Sequence, residues 1–120
     1  MDGTLIVESL RAGAELTVPL RVRRIARFEV ADATPAQPGT WALIEFEGDD
    51  QHADALASAF ADALRHTGGW YADFHTAATK YVVFAGRVFR YPRGDVASSR
   101  EAQDHARSVG VPETQLDWAE

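Results

Sequence analysis

A chain of 120 residues that is 46% hydrophobic and 25% charged has the size and composition of one globular domain spanning residues 1–120, which excludes disordered and fibrous classes. Its net charge of −6 weighs against general nucleic-acid binding, where affinity rests on neutralising phosphates. With no cysteine, disulfides, thiolate nucleophiles and sulfur metal sites are excluded together.

Thr4 to Leu10 reads as a first strand, with Gly13 in the turn after it. From Leu16 to Val30 nearly every even position is apolar, while Arg21, Arg23, Arg27 and Glu29 face the other way, the period-two signature of a half-buried strand. That run is too long for one strand, so a bend, bulge or break is expected near Arg23 and Arg24, with Pro19 tolerated at an edge. A break leaves Arg24 unremarkable; a continuous strand turns it inward, where it needs an anion. Residues 31–40, with two prolines and a glycine, read as a mobile loop. Trp41 to Glu47 resumes as a strand, with Ala42, Ile44 and Phe46 on one face and Trp41 and Leu43 on the other.

After Gly48, Asp49 or Asp50 is positioned to cap a helix that carries Ala53, Leu56, Ala57, Phe60 and Leu64 at helical spacing and stops at Gly68 and Gly69. Trp70 to His75, Lys80 to Ala85 and Arg87 to Tyr91 follow as three strands whose short connections imply an antiparallel meander. A second helix begins near Asp95, with Ser98 and Glu101 as an alternative start, and ends at Gly110 before Pro112; Leu116 and Trp118 are expected to tie down the tail. The order β-β-β-α-β-β-β-α defines an α+β fold, a two-layer sandwich of a mainly antiparallel, roughly six-stranded sheet with both helices on one side.

Two-residue turns at Ala77–Ala78 and Ala85–Gly86 set Phe74 opposite Tyr81, Val83 opposite Val88 and Val82 opposite Phe89. One meander face then holds Trp70, Ala72, Phe74, Tyr81, Val83 and Val88, with Arg90 among them, and is assigned to the helix-covered core. The other holds Val82, Phe84 and Phe89 as an apolar floor, with Tyr71, Tyr91, Asp73, His75, Lys80 and Arg87 around it. Apolar strand surface of that extent marks a contact site. A homodimer interface at Val82, Phe84 and Phe89 is the leading expectation, beside covering by the chain's own segments or a pocket.

The alternative is a small anionic ligand held by Arg87, Arg90, Tyr71, Tyr91 and Lys80. His75 and Asp73, two apart on one strand, are then an acid–base pair for an enzyme. Nothing completes a catalytic set: no nucleophile motif, no phosphate-cradling glycines and no metal constellation. The expectation is therefore binding rather than catalysis, with no cofactor and no metal. His52 and His66, at opposite ends of the first helix and roughly 21 Å apart, cannot share an ion, and Glu101 with His105 reads as an intrahelical ion pair. Arg93-Gly94-Asp95 reads as a strand-to-helix turn rather than an adhesion motif. Arg21, Arg23 and Arg27 form a stripe best read as a solvated strand face.

One lysine against eleven arginines, no asparagine and abundant alanine suit a GC-rich bacterial gene. The absence of cysteine, of a basic leader and of any membrane-length apolar run makes a cytoplasmic protein with no membrane partner the expectation. The working hypothesis is a small interaction or accessory protein, a homo-oligomer or the companion of a protein partner.

Overall fold

The computed structural model describes residues 1–116 and Trp118. Six strands, β1 (Asp2–Ile6), β2 (Arg21–Glu29), β3 (Thr40–Glu47), β4 (Ala72–His75), β5 (Thr79–Phe84) and β6 (Arg87–Pro92), form one sheet, with helices α1 (Ala53–Ala63) and α2 (Val96–Ser108). The sheet order is β2-β3-β1-β4-β5-β6, and every pairing is antiparallel. The expected α+β class and element order hold. No helix among the described residues is long and apolar enough to cross a membrane.

On one face, α1 lays Leu56, Ala57 and Phe60 over Leu5, Phe46, Phe74, Tyr81 and Val83. Its apolar residues recur at three- and four-residue intervals, so a single stripe is buried. Phe46, Phe60 and Phe74 meet with centroids 6.0 to 6.4 Å apart. Each is at most 1% exposed and contributes about 1.5–3 kcal/mol of apolar burial. Gly3 permits this contact: it pairs with Phe46 on one side and Phe74 on the other, and a Cβ there would lie 2.4 Å from the Phe74 Cβ.

The meander has the expected register, with Phe74 opposite Tyr81, Val82 opposite Phe89 and Val83 opposite Val88. Its two faces do separate as the alternation requires. The expectation that both helices share a side is corrected, because α2 lies on the opposite face from α1. There Ala102 and Ala106, fully buried and four apart, bring the helix down onto Val82, Phe84 and Tyr91, with Val111 and Trp118 closing the cluster. Asp95 caps α2 by accepting from the Ser98 amide at 3.1 Å, and Gly110 ends it at φ +91°.

Several boundaries move for reasons beyond the local pattern. The first strand stops at Ile6 in a 3-10 turn, Val7–Ser9, and residues 16–20 alternate inward at Leu16, Val18 and Leu20 without joining the sheet. Neither Asp49 nor Asp50 caps α1: Asp50 accepts instead from the Met1 amino group at 2.5 Å. The helix ends at Ala63, before the glycines, because Leu64 turns extended and bridges Leu10, while the Arg65 amide donates to the Ser9 carbonyl. The bulge falls where the sequence indicates, between Val22 and Arg24. It switches the inward phase, so that Val22 lies on the α1 face and Ala26 and Phe28 on the other, and it leaves Arg24 on the surface bonded to Glu45 at 2.6 Å.

Candidate functional site

Because α2 packs on β5 and β6 of its face, the rest of that face is left to shorter segments. Alternation sends Thr4 and Ile6 of β1, Trp41 and Leu43 of β3 and Phe28 of β2 to this side, where they floor a cavity of about 470 Å³. Val30 and Asp32 from the loop after β2 form one wall, and Gly69 to Tyr71 another. The tail closes the third through Thr114, Gln115 and Trp118.

The loop expected to be mobile is pinned, and Gln37 is the reason. Its buried side chain accepts from the Thr34 amide at 3.0 Å and donates to the Gly68 carbonyl at 2.7 Å. Gln115, also buried, donates to Gln37 Oε1 at 3.1 Å and to the Asp32 carbonyl at 3.0 Å. Two neutral amides thus join loop and tail over the sheet, and a buried amide in that position stays only if its hydrogen bonds are met. The Tyr71 hydroxyl donates to the Gln115 carbonyl, and the expected anchoring of the tail at Leu116 and Trp118 is seen.

All three tryptophans of the chain line this cavity. Trp41 lies 5.1 Å from Trp70 and 6.1 Å from Phe28, and Trp118 packs edge-on to Tyr71 at 4.9 Å. Trp70, assigned by alternation to the α1 side, precedes β4 and so escapes its phase to join Trp41. The Trp118 indole nitrogen is buried and meets no acceptor among the described residues. Asp32 and Asp73 are the only charged residues lining the cavity among the described residues.

Towards the other end of the sheet, past Thr4 and Asp73, a shallower hollow of about 270 Å³ is lined by Asp2, Arg23, Glu45, His75 and Lys80. Here charges cancel in pairs: Arg23 with Asp2 at 2.8 Å and Lys80 with Asp73 at 2.7 Å. The expected stripe of β2 arginines is broken by the bulge, which leaves Arg21 on this face, bonded to Glu47 at 3.2 Å, and puts Arg27 on the α1 face.

The residues singled out from the sequence do not converge. Val82 and Phe84, expected at an intermolecular interface, are 0% and 2% exposed beneath α2 and Trp118; Phe89 is half-buried against His105 and Phe84. The surplus apolar surface is real, and this chain covers it itself. Arg87 and Arg90 leave on opposite faces: Arg87 lies over the Phe89 ring at 4.6 Å, while Arg90 lies 3.4 Å from Asp54 on the α1 side. They cannot grip one anion. Lys80 and Tyr91 are buried, Lys80 against Asp73 and Tyr91 in the α2 cluster, while Tyr71 alone of the proposed ligand residues lines the cavity.

Asp73 and His75 share a face without pairing, because Lys80 takes Asp73 Oδ2. Burial, then the charges of Arg93 and Lys80, holds the His75 imidazole below its ordinary value despite Asp2 and Asp73 nearby. His105 does not pair with Glu101; it lies 4.7 Å from the Phe84 ring, and burial followed by the Arg87 charge lowers its pKa. No group of three or more histidines, aspartates or glutamates stands close enough to hold a metal ion among the described residues.

The cavity walls come from segments far apart in sequence, so no local motif announces them. The one usable signal is the switch at Trp41 and Leu43, where a strand is apolar on both faces at its start. Comparison of the chain with known protein families, with curated proteins and with solved structures finds no match in any of the three.

Proposed function

We propose that this chain is a binding protein whose ligand is a small, flat, largely apolar molecule held on the sheet face beside α2. The observation that carries the reading is the cavity of about 470 Å³. Its volume lies within the range of about 300–1,000 Å³ usual for ligand sites, and eight of its fourteen lining residues are aromatic or aliphatic, against five polar ones that can orient a ligand. The walls are also held by the buried Gln37–Gln115 pair, so little ordering is required of the protein when a ligand enters. Since every tryptophan borders the cavity, tryptophan emission reports occupancy directly. Titration with small aromatic compounds is expected to give saturable changes in emission that Trp41→Ala weakens. Emission unmoved across such a panel, with unaltered thermal stability, removes the reading.

A second reading, association between copies, is favoured by β2. This nine-residue edge strand leaves Val22 and Ile25 56% and 67% exposed, apolar surface beside unpaired backbone groups. Light scattering at rising concentration tests it. A mass increase abolished by Ile25→Glu is expected, and a monomer throughout rejects it.

A further inference from the structure

We infer that the ligand of the aromatic cavity is an organic cation, an aromatic amine rather than an aromatic acid; this rests on reading the cavity as a ligand site. Phe28, Trp41, Trp70, Tyr71 and Trp118 present π systems to the space, and ring faces attract cations and repel anions. The charged groups among the described lining residues are both acids, Asp32 and Asp73, and the base that touches one of them, Lys80, is already paired with Asp73.

The counter-ion of Asp73 does not reverse this balance. Lys80 stands on β5, is 3% exposed, and lines only the second hollow; its bond to Asp73 engages Oδ2 alone. Asp32 has no ion pair among the described residues, and only its backbone carbonyl is used, by Gln115. An anion entering here would meet Asp32 and the already neutralised Asp73–Lys80 pair beside five aromatic side chains, with no positive side chain left over among the described lining residues, in a chain of net charge −6. The buried Trp118 N–H, with no acceptor among the described residues, can be met by a neutral oxygen or nitrogen on the same molecule.

Three probes of one shape and different charge test this: phenethylamine, 2-phenylethanol and 3-phenylpropionate, titrated against the intact chain with tryptophan emission and amide chemical shifts as readouts. Phenethylamine is expected to bind about tenfold or more tighter than either of the others. That margin should shrink severalfold in Asp32→Asn while 2-phenylethanol is unaffected. Rising salt should also reduce it. If the alcohol or the acid binds as well as the amine, or if Asp32→Asn and the double variant Asp73→Asn, Lys80→Met both leave the amine's advantage intact, the charge assignment is overturned while the cavity stands. If none of the three perturbs the cavity residues, the assignment and the ligand site fall together.

Discussion

The ion pair between Lys80 and Asp73 should respond very unequally to loss of its two members. Lys80 is 3% exposed and Asp73 29%, with 2.7 Å between Nζ and Oδ2, so the ammonium depends on the carboxylate far more than the reverse. Asp73→Ala strands a charge in a side chain only 3% exposed and should cost about 3–5 kcal/mol, the usual penalty for breaking a buried pair from one side. Lys80→Met instead leaves a carboxylate that water reaches and fills the lysine's space with apolar atoms, so about 1 kcal/mol or less is expected. For a 120-residue domain the unfolding entropy is about 0.25 kcal/mol per degree, which turns the first cost into a fall in Tm of roughly 12–20 °C and the second into roughly 4 °C. Differential scanning calorimetry on the two single variants and on Asp73→Ala, Lys80→Met together measures this. The double variant should lie close to Lys80→Met, because the stranded charge is gone. Equal losses for the two single variants, or a double variant as unstable as Asp73→Ala, would refute the reasoning.

Gly3→Ala should destabilise the fold by about 1–3 kcal/mol or more, read as a lower denaturation midpoint, since its Cβ falls 2.4 Å from that of Phe74; wild-type stability would mean the rings do not meet over Gly3. Gln37→Ala removes the side-chain hydrogen bonds to Thr34, Gly68 and Gln115 and should cost about 2–4 kcal/mol, with faster amide exchange over residues 31–39; unchanged exchange there rejects the clip. His75 and His105 are both held below the ordinary histidine value of 6.5, so the unfolded chain binds protons that the folded chain refuses. Stability from these groups is complete above pH 6.5 and falls as pH drops from there towards the lowered folded values. His105→Phe should flatten that slope in urea titrations, and a slope identical to wild type would contradict the burial of its ring.

Much of the architecture is visible in local pattern. A side-chain period of two, punctuated by Ala77–Ala78 and Ala85–Gly86, leaves one register for the meander, and it is the register seen. Asp95 and Gly110 bracket α2, and the misplaced phase at Arg23 and Arg24 marks the bulge, because caps and bulges depend on residues within a turn of themselves. The side of the sheet on which each helix lands does not depend on such neighbours. An apolar strand with two oily faces, such as β5 with Val82 and Val83, is equally satisfied by a partner molecule or by its own later segments, and only the assembled chain shows that α2 and Trp118 supply the cover.

The site follows the same division. Tyr71 and Asp73 were legible as residues of interest, yet the cavity they border requires β1 to sit between β3 and β4, and it requires two glutamines 78 positions apart to meet. Periodicity determined what each strand offers on its two faces. Long-range closure decided which of those offerings were buried, which were paired, and which were left facing the open cleft beside α2, because that choice minimises exposed apolar surface over the whole molecule rather than along any one segment.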